Sequence, residues 1–190
     1  SAEQLQLPSL LENIQQDCPG ITLTIEAQSS GKTISGVQRG IIDGGYIFGD
    51  IPNDCIGFTV SEQKITTIAP LNYHLSDNLS LDYLREQPWV IMGEYCPFDD
   101  FLREKLGDKL KNTVNSADDS TRLALVMAGL GLSFLEYDAA IAAKKNNAIQ
   151  IIPTLDFTTP LHFIIAKDRQ TEPVIQASFN AIKNLFHCIE

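Results

Sequence analysis

The stretch ITLTIEAQSSGKTISGVQRGIIDGGYIF, residues 21–48, decides the reading of the fold. Ile21, Leu23 and Ile25 alternate with polar residues, the period-two pattern of a strand with one buried face. Ile34, Val37 and Ile41 then suggest a short helix, and IDGGYIF turns back into strand, so the segment predicts a βαβ unit. Between the first strand and the helix lie Ser29, Ser30, Gly31, Lys32 and Thr33. A helix N-terminus presents free N–H groups that favour an anion or an acceptor atom. Two readings stand side by side: Ser30 caps the helix and Gly31 makes the turn, or these small polar groups are ligand donors.

Working outward, Leu7, Leu10, Leu11 and Ile14 fall at i, i+3, i+4, i+7, which predicts a helix over residues 2–17 closed by Pro19 and Gly20. Strands are expected near 56–61 and 64–69, then a helix around LSLDYLRE, a strand PWVIM, and helices over 98–110 and 119–128. GLGLSFL reads as strand, DAAIAAKK as a short helix, and AIQIIP and PLHFIIA as two further strands. Val174, Ile175, Phe179, Ile182 and Phe186 form the apolar face of a closing helix. Such alternation predicts an α/β fold with helices covering parallel or mixed sheets.

Composition narrows the function classes. The 190 residues carry 24 acidic against 14 basic side chains, a net charge of −10, so the surface should repel polyanions and bind no nucleic acid by itself. The apolar runs are far shorter than the roughly 20 residues of a membrane helix. The start SAEQLQL lacks the charged and apolar regions of an export signal. Cys18, Cys55, Cys96 and Cys188 have no metal-ligand spacing, so reduced thiols in a cytoplasm are expected and no metal or cofactor is predicted. His74, His162 and His187 are scattered, and no nucleophile with its base, catalytic carboxylate pair or phosphate loop supports an enzyme.

The order and spacing of several segments resemble the effector-binding domain of LysR-type transcriptional regulators. LPSLLENIQQDCPGITLTIEAQSSG resembles the family's first helix and following strand, and ISGVQRGIIDGGYI its second helix and Gly-x-x-Asp turn. TTIAPLNYHL resembles the segment crossing between lobes. DDSTRLALVMAGLGLSFL resembles the helix and Gly-x-Gly turn of the second lobe, and PLHFIIAKDRQTEPVIQASFNAIKNLF the returning strand and last helix. The resemblance implies a two-lobed fold like that of type II periplasmic binding proteins, with two crossing strands near 68–71 and 158–161. Lobe one is then residues 1–69 plus 160–190, and lobe two 70–159. The family's N-terminal winged helix-turn-helix is not in this sequence, so DNA contact is expected only through that missing domain. The strand that usually opens the family's domain is also not seen before the first helix.

The resemblance also assigns a ligand site, residue by residue. The loop entering the first helix falls on Ser1 and Ala2, and the loop entering the second places the family's hydroxyl at Ser30, flanked by Ser29, Lys32 and Thr33. In lobe two the wall falls on Tyr95, Cys96 and Phe98 and on Ser116 and Asp118, and the crossing contributes Ala69 where some relatives present a hydroxyl. Lys32 either neutralises a carboxylate ligand or is solvated; Arg122 is a weaker candidate, and Glu94 is read as solvated. Asp43 reads as a turn or interlobe structural residue, and Asp99 and Asp100 as first-turn charges on a helix macrodipole. Cys96 lies where peroxide-sensing relatives carry a reactive cysteine, but its nearest later partner is Cys188 on the last helix, so no disulfide is expected.

The expected function is therefore a sensor that binds a small polar or anionic metabolite between lobes and controls transcription through the full-length protein. A transporter's solute-binding protein and a cysteine-based redox sensor of the same family are the alternatives. A homodimer or higher homo-oligomer is implied, with the first helix (7–16) against the partner's second-lobe helix (121–128). Leu5, Leu7, Leu10 and Leu11 would meet Leu123, Leu125, Val126 and Met127 there.

Overall fold

The computed structural model describes residues 5–17, 19–74, 79–93 and 96–187. Along the chain run α1 (Leu7–Asp17), α2 (Ser30–Gln38), β1 (Gly44–Phe48), β2 (Cys55–Pro70), α3 (Leu81–Arg85), β3 (Pro88–Ile91), α4 (Pro97–Leu106) and β4 (Lys111–Asn115). There follow α5 (Asp119–Met127), β5 (Ser133–Glu136), α6 (Tyr137–Lys145), β6 (Ile149–Ala166), a 3-10 turn (Lys167–Arg169) and α7 (Pro173–His187). The strands make one sheet of order β1-β6-β2-β5 and a pair β3-β4. Two units divide the chain: Ser1–Ala27, Thr33–Ser61 and Leu161–Glu190 form unit one, and Gln28–Lys32 with Glu62–Pro160 form unit two. Both β2 and β6 therefore have residues in each unit. No helix among the described residues is long and apolar enough to cross a membrane.

In unit one, β1 runs antiparallel to the end of β6, with Gly44 opposite Ile165 and Phe48 opposite Leu161. Leu10 and Ile14 of α1 and Ile175 and Ile182 of α7 bury against Phe58, Phe163 and Ile165. The rings of Phe58 and Phe179 meet edge to face at 5.2 Å, a geometry that aligns ring edge with ring face. A second cluster, Val37, Ile47, Cys55, Ile164 and Ala166, lies under α2.

Unit two contains the parallel pair, β3 and β4 joined through α4, so the βαβ unit of this chain is here. β3 continues onto the approach to β5, where Val90 N donates to Leu132 O (2.8 Å) and Leu132 N to Pro88 O (2.9 Å). β5 in turn runs antiparallel to β2, from Ile65 opposite Glu136 to Ile68 opposite Ser133. Trp89, Phe98, Phe101, Phe134 and Phe157 pack ring on ring, with Phe101 and Phe157 stacked at 4.1 Å. Trp89 is wholly buried, and its indole N–H donates to Leu84 O at 3.0 Å.

Several expectations need correction. Residues 21–29 form no strand, so the predicted βαβ unit around α2 is not formed. Ile21 and Leu23 do pack on the unit-one core, but Ile25 is 56% exposed. An alternating segment becomes a strand only when a neighbour accepts its backbone groups, and none of the described segments pairs with this one. The strands expected at 56–61 and 64–69 are the single β2. Its polar middle is carried by a neighbouring strand: Lys64 Nζ lies 3.1 Å from Asp156 Oδ2, and Thr66 Oγ1 donates to Asp156 Oδ1 at 2.5 Å. AIQIIP and PLHFIIA likewise merge into β6. Pro153 and Pro160 precede the stretch that pairs with β1, so the side that β1 later occupies needs no donor from either. β4 escaped notice because KNTVN holds one apolar residue; its parallel partner β3 supplies the pairing. The helix expected to reach residue 110 stops at Leu106, followed by Gly107 at φ +88°.

The turn after α5 explains the Gly-x-Gly pattern. Leu130 N donates to Leu125 O (3.1 Å) and Gly129 N to Val126 O (2.9 Å), a Schellman closure with Gly129 at φ +86°. Gly131 sits at φ +148°, and a Cβ there would lie 2.5 Å from Pro88 O. Gly131→Ala is thus expected to part β3 from the approach to β5 and cost about 2–3 kcal/mol, read as a lowered urea midpoint. An unchanged midpoint would show that this backbone approach can relax freely.

Candidate functional site

α2 begins at Ser30, so the residue before it is the cap. Lys32 N donates to Ser29 Oγ at 3.4 Å, the Ncap-to-N3 bond that satisfies one orphan N–H of the first turn. The expected cap at Ser30 with a turn at Gly31 is corrected accordingly: Gly31 is an ordinary first-turn residue. Ser29 and Ser30 are both buried, and Lys32 is exposed. Residues 28–32 group with unit two, whereas Thr33 belongs to unit one. Thr33 is buried because its Cγ2 occupies the space over Gly45, 2.4 Å from where a Cβ would stand. Glycine at position 45 is what lets α2 lie this close to β1.

In unit two the parallel β3–β4 ladder runs on one bond past β4, with Ser116 N donating to Ile91 O at 2.9 Å, which holds the starts of the two following loops side by side. Asp118 is the N-cap of α5: its Oδ2 accepts from Thr121 N (2.7 Å) and Ser120 Oγ (2.6 Å). These donors pull its carboxyl down to about 2, the Ser120 hydroxyl contributing most. Ser116 Oγ is engaged locally, accepting from Asp118 N at 3.3 Å. Ala69 is wholly buried near the end of β2. Two residues earlier, on the same side of the strand, buried Thr67 Oγ1 has no hydrogen-bond partner among the described residues.

Cys96 and Phe98 are both buried. Phe98 is 3% exposed and belongs to the aromatic cluster, with Phe134 and Phe157 edge-on at 6.5 and 5.6 Å. Cys96 is a free, buried thiol at the N-cap position of α4, its Sγ 3.1 Å from Met92 Sδ. Burial, with Asp99 adding to it, pushes the thiol up to about 11. Ser1, Tyr95, Glu94 and Cys188 lie outside the described residues.

Two groups were undervalued in the sequence. Asp99 lies in the first turn of α4 as expected, but it is also buried: it is 5% exposed, and its carboxylate accepts from Met92 N (3.1 Å) and Gly93 N (2.6 Å). Burial raises its pKa above the ordinary carboxylate value, despite those donors. Arg122 is 1% exposed, donates from Nη1 to Ser116 O at 3.1 Å and pairs with Asp119. Its Nε has no partner among the described residues. A charge on a helix surface pattern gives no sequence signal of burial; both roles come from loops folding back over the helix starts. Asp43 pairs with Arg169 at 3.0 Å inside unit one, His162 Nδ1 lies 3.2 Å from Thr59 Oγ1, and His74 is exposed. A surface hollow in unit one, lined by Gln38, Asp54, Ala166, Lys167 and Asp168, shares no residue with the expected site.

Two α/β units sharing two long strands, with polar groups at strand ends and helix starts, define a domain of the type II periplasmic-binding-protein class. Residues 1–186 match the family model for the LysR substrate binding domain, and the chain belongs to that family. Solved structures share the fold. The effector binding domain of QuiR in complex with shikimate is 14% identical, with a TM-score of 0.74 over 97% of this chain and 91% of that one. The regulatory domain of CcmR from Synechocystis PCC6803 in complex with 2-PG is 12% identical, with a TM-score of 0.74 over 99% and 94%. The probable transcriptional regulator PA0477 from Pseudomonas aeruginosa is 17% identical, with a TM-score of 0.70 over 96% of this chain but 62% of that one. No curated protein matches the sequence.

Proposed function

We propose that this LysR substrate binding domain senses a small polar or anionic metabolite and passes its occupancy to a DNA-reading domain in the full-length regulator. The observation that carries this reading is the start of α2, where a Ser29-capped helix N-terminus and the buried Ser30 group in one unit with the loops after β3 and β4. First-turn N–H groups and small hydroxyls suit a carboxylate or a hydroxyl-rich ligand. The ligand would touch Ser29, Ser30, Ser116 and the backbone near Ala69, with Tyr95 and Ser1 as family-implied additions. Lys32 would contribute long-range charge, Thr33 and Phe98 would shape the site from behind, and Asp118 would hold the start of α5. The lobes would divide at 69/70 and 159/160.

DNA would be read by a winged helix-turn-helix outside this sequence, in a cytoplasmic homodimer. A domain whose chemistry is reversible binding needs no catalytic group, and we read it as non-enzymatic. A solute-binding protein of a transporter is the weaker reading, because the family match is to a regulator's domain. A redox sensor is weaker too, since the Cys96 thiol is buried and held up at about 11.

Calorimetric titration with shikimate and a panel of hydroxy and keto carboxylates at millimolar concentration tests the reading. A binder is expected among them, raising the melting temperature in step with its affinity. Ser30→Ala should then weaken it by about 1 kcal/mol for a neutral hydrogen bond, or up to about 3 for a charged one. Unaltered affinity in a folded Ser30→Ala protein would remove Ser30 from the site.

A further inference from the structure

We infer that Arg122 and Asp99 are positioning residues that lock the loop after β3 and the loop after β4 into one rigid wall. The inference rests on the reading that these loops meet the effector, and it adds two buried side chains to which no ligand contact is assigned.

The argument starts from which backbone groups each side chain holds. At the end of β3 the chain turns through Met92 and Gly93, with Gly93 at φ +107°. Their N–H groups leave the β-ladder there, and both donate to the carboxylate of Asp99, which reaches back from the first turn of α4. At the end of β4, Ser116 presents its carbonyl to Arg122 Nη1, which reaches back from the first turn of α5. The two turns start side by side, because the last bond of the β3–β4 ladder joins Ser116 N to Ile91 O, and the Asn115 Cβ stands 3.9 Å from where a Cβ on Gly93 would be. One carboxylate therefore gathers the donors of one loop, and one guanidinium holds an acceptor of the next.

Burial makes this arrangement costly unless each partner stays in place. Asp99 is 5% exposed and Arg122 1%, and neither can exchange its loop contact for water without opening the wall. Asp99 carries its charge in the field of Arg103 and, more weakly, of Arg122. A loop displaced at Gly93 would leave a buried carboxylate short of donors beside the guanidinium that fixes Ser116. Arg122 also pairs through Nη2 with Asp119, so two of its three guanidinium nitrogens are engaged within the described residues. Those contacts are what would make Arg122 a holder of the wall.

Amide hydrogen exchange by NMR on the unliganded domain tests this, comparing wild type, Arg122→Met, Arg122→Lys and Asp99→Asn. Exchange at Ile68 and Val126, both in the unit-two core, serves as the reference for global stability. Arg122→Met should speed exchange at Met92 and Gly93 roughly tenfold relative to that reference, although Arg122 bonds to neither, and Asp99→Asn should do the same at Ser116. Arg122→Lys, keeping the charge and one donor, should recover most of the protection. If Arg122→Met loosens only Ser116 and the first turn of α5, the two loops are separate and the inference fails. Should Arg122→Met not fold, Asp99→Asn decides: unchanged Ser116 exchange overturns the lock. No ligand enters this measurement, so an effector-binding reading that fails in calorimetry leaves it intact, and the reverse holds.

Discussion

Leu10→Glu should leave the domain largely unfolded at room temperature, whereas Leu11→Glu combined with Met127→Glu should fold normally and sediment as a monomer. Leu10 is 5% exposed and packs with Ile14, Ile175 and Ile182 in the unit-one core. A glutamate there loses about 2–5 kcal/mol of packing and buries a carboxylate without a partner, against a total stability of about 5–15 kcal/mol. Leu11, one residue on, is 37% exposed, and Met127 at the end of α5 is 53% exposed. These side chains, rather than Leu10 and the wholly buried Val126, are the available part of the dimer contact that the family implies. Sedimentation velocity at tens of micromolar, with circular dichroism as the folding check, separates the outcomes. A folded Leu10→Glu protein would contradict the α1–α7 packing, and a Leu11→Glu/Met127→Glu protein that dimerises as tightly as wild type would place the interface elsewhere.

The second large effect concerns the thiols. At pH 7.5, Cys96 should react with iodoacetamide about 100-fold more slowly than in the denatured chain, because moving its pKa from the ordinary 9 to about 11 removes roughly two decades of thiolate. Enclosure of the sulfur against Met92 slows it further. Cys55, also buried and raised to about 11 by desolvation and the neighbouring Asp54, should be similarly inert. Mass spectrometry of peptides after timed alkylation gives both rates. Rapid native-state modification of Cys96, or its stoichiometric oxidation at micromolar peroxide, would restore the redox-sensing alternative.

What the sequence determined by itself was local. The helices themselves were legible from their apolar spacing, though their caps were not read: Ser80, whose hydroxyl accepts from Tyr83 N (3.2 Å), and Asp118 over Thr121 emerged only in the structure. The end of α5 was legible in Gly129, since a Schellman turn closes inside its own last residues. The family too was legible, because the order of apolar and glycine positions is a property of the chain rather than of its contacts, and residues 1–186 match it.

Pairing and burial belonged to the tertiary structure. ITLTIEA alternates as well as any strand, yet pairs with none of the described segments, because a strand is completed by another strand and no local pattern names that partner. KNTVN lacks the pattern and pairs anyway, since β3 offers it a parallel edge. Leu10 and Leu11 are identical letters on one helix with opposite fates, decided by where α7 packs. Asp99 read as a first-turn dipole charge and Arg122 as a weak ligand candidate, and nothing local announced that both would be buried against backbone groups at the ends of β3 and β4. The physical reason is common to all four: periodicity, caps and turn residues act over a few positions. A hydrogen-bond partner, or the removal of water from a side chain, is instead supplied by segments distant in sequence.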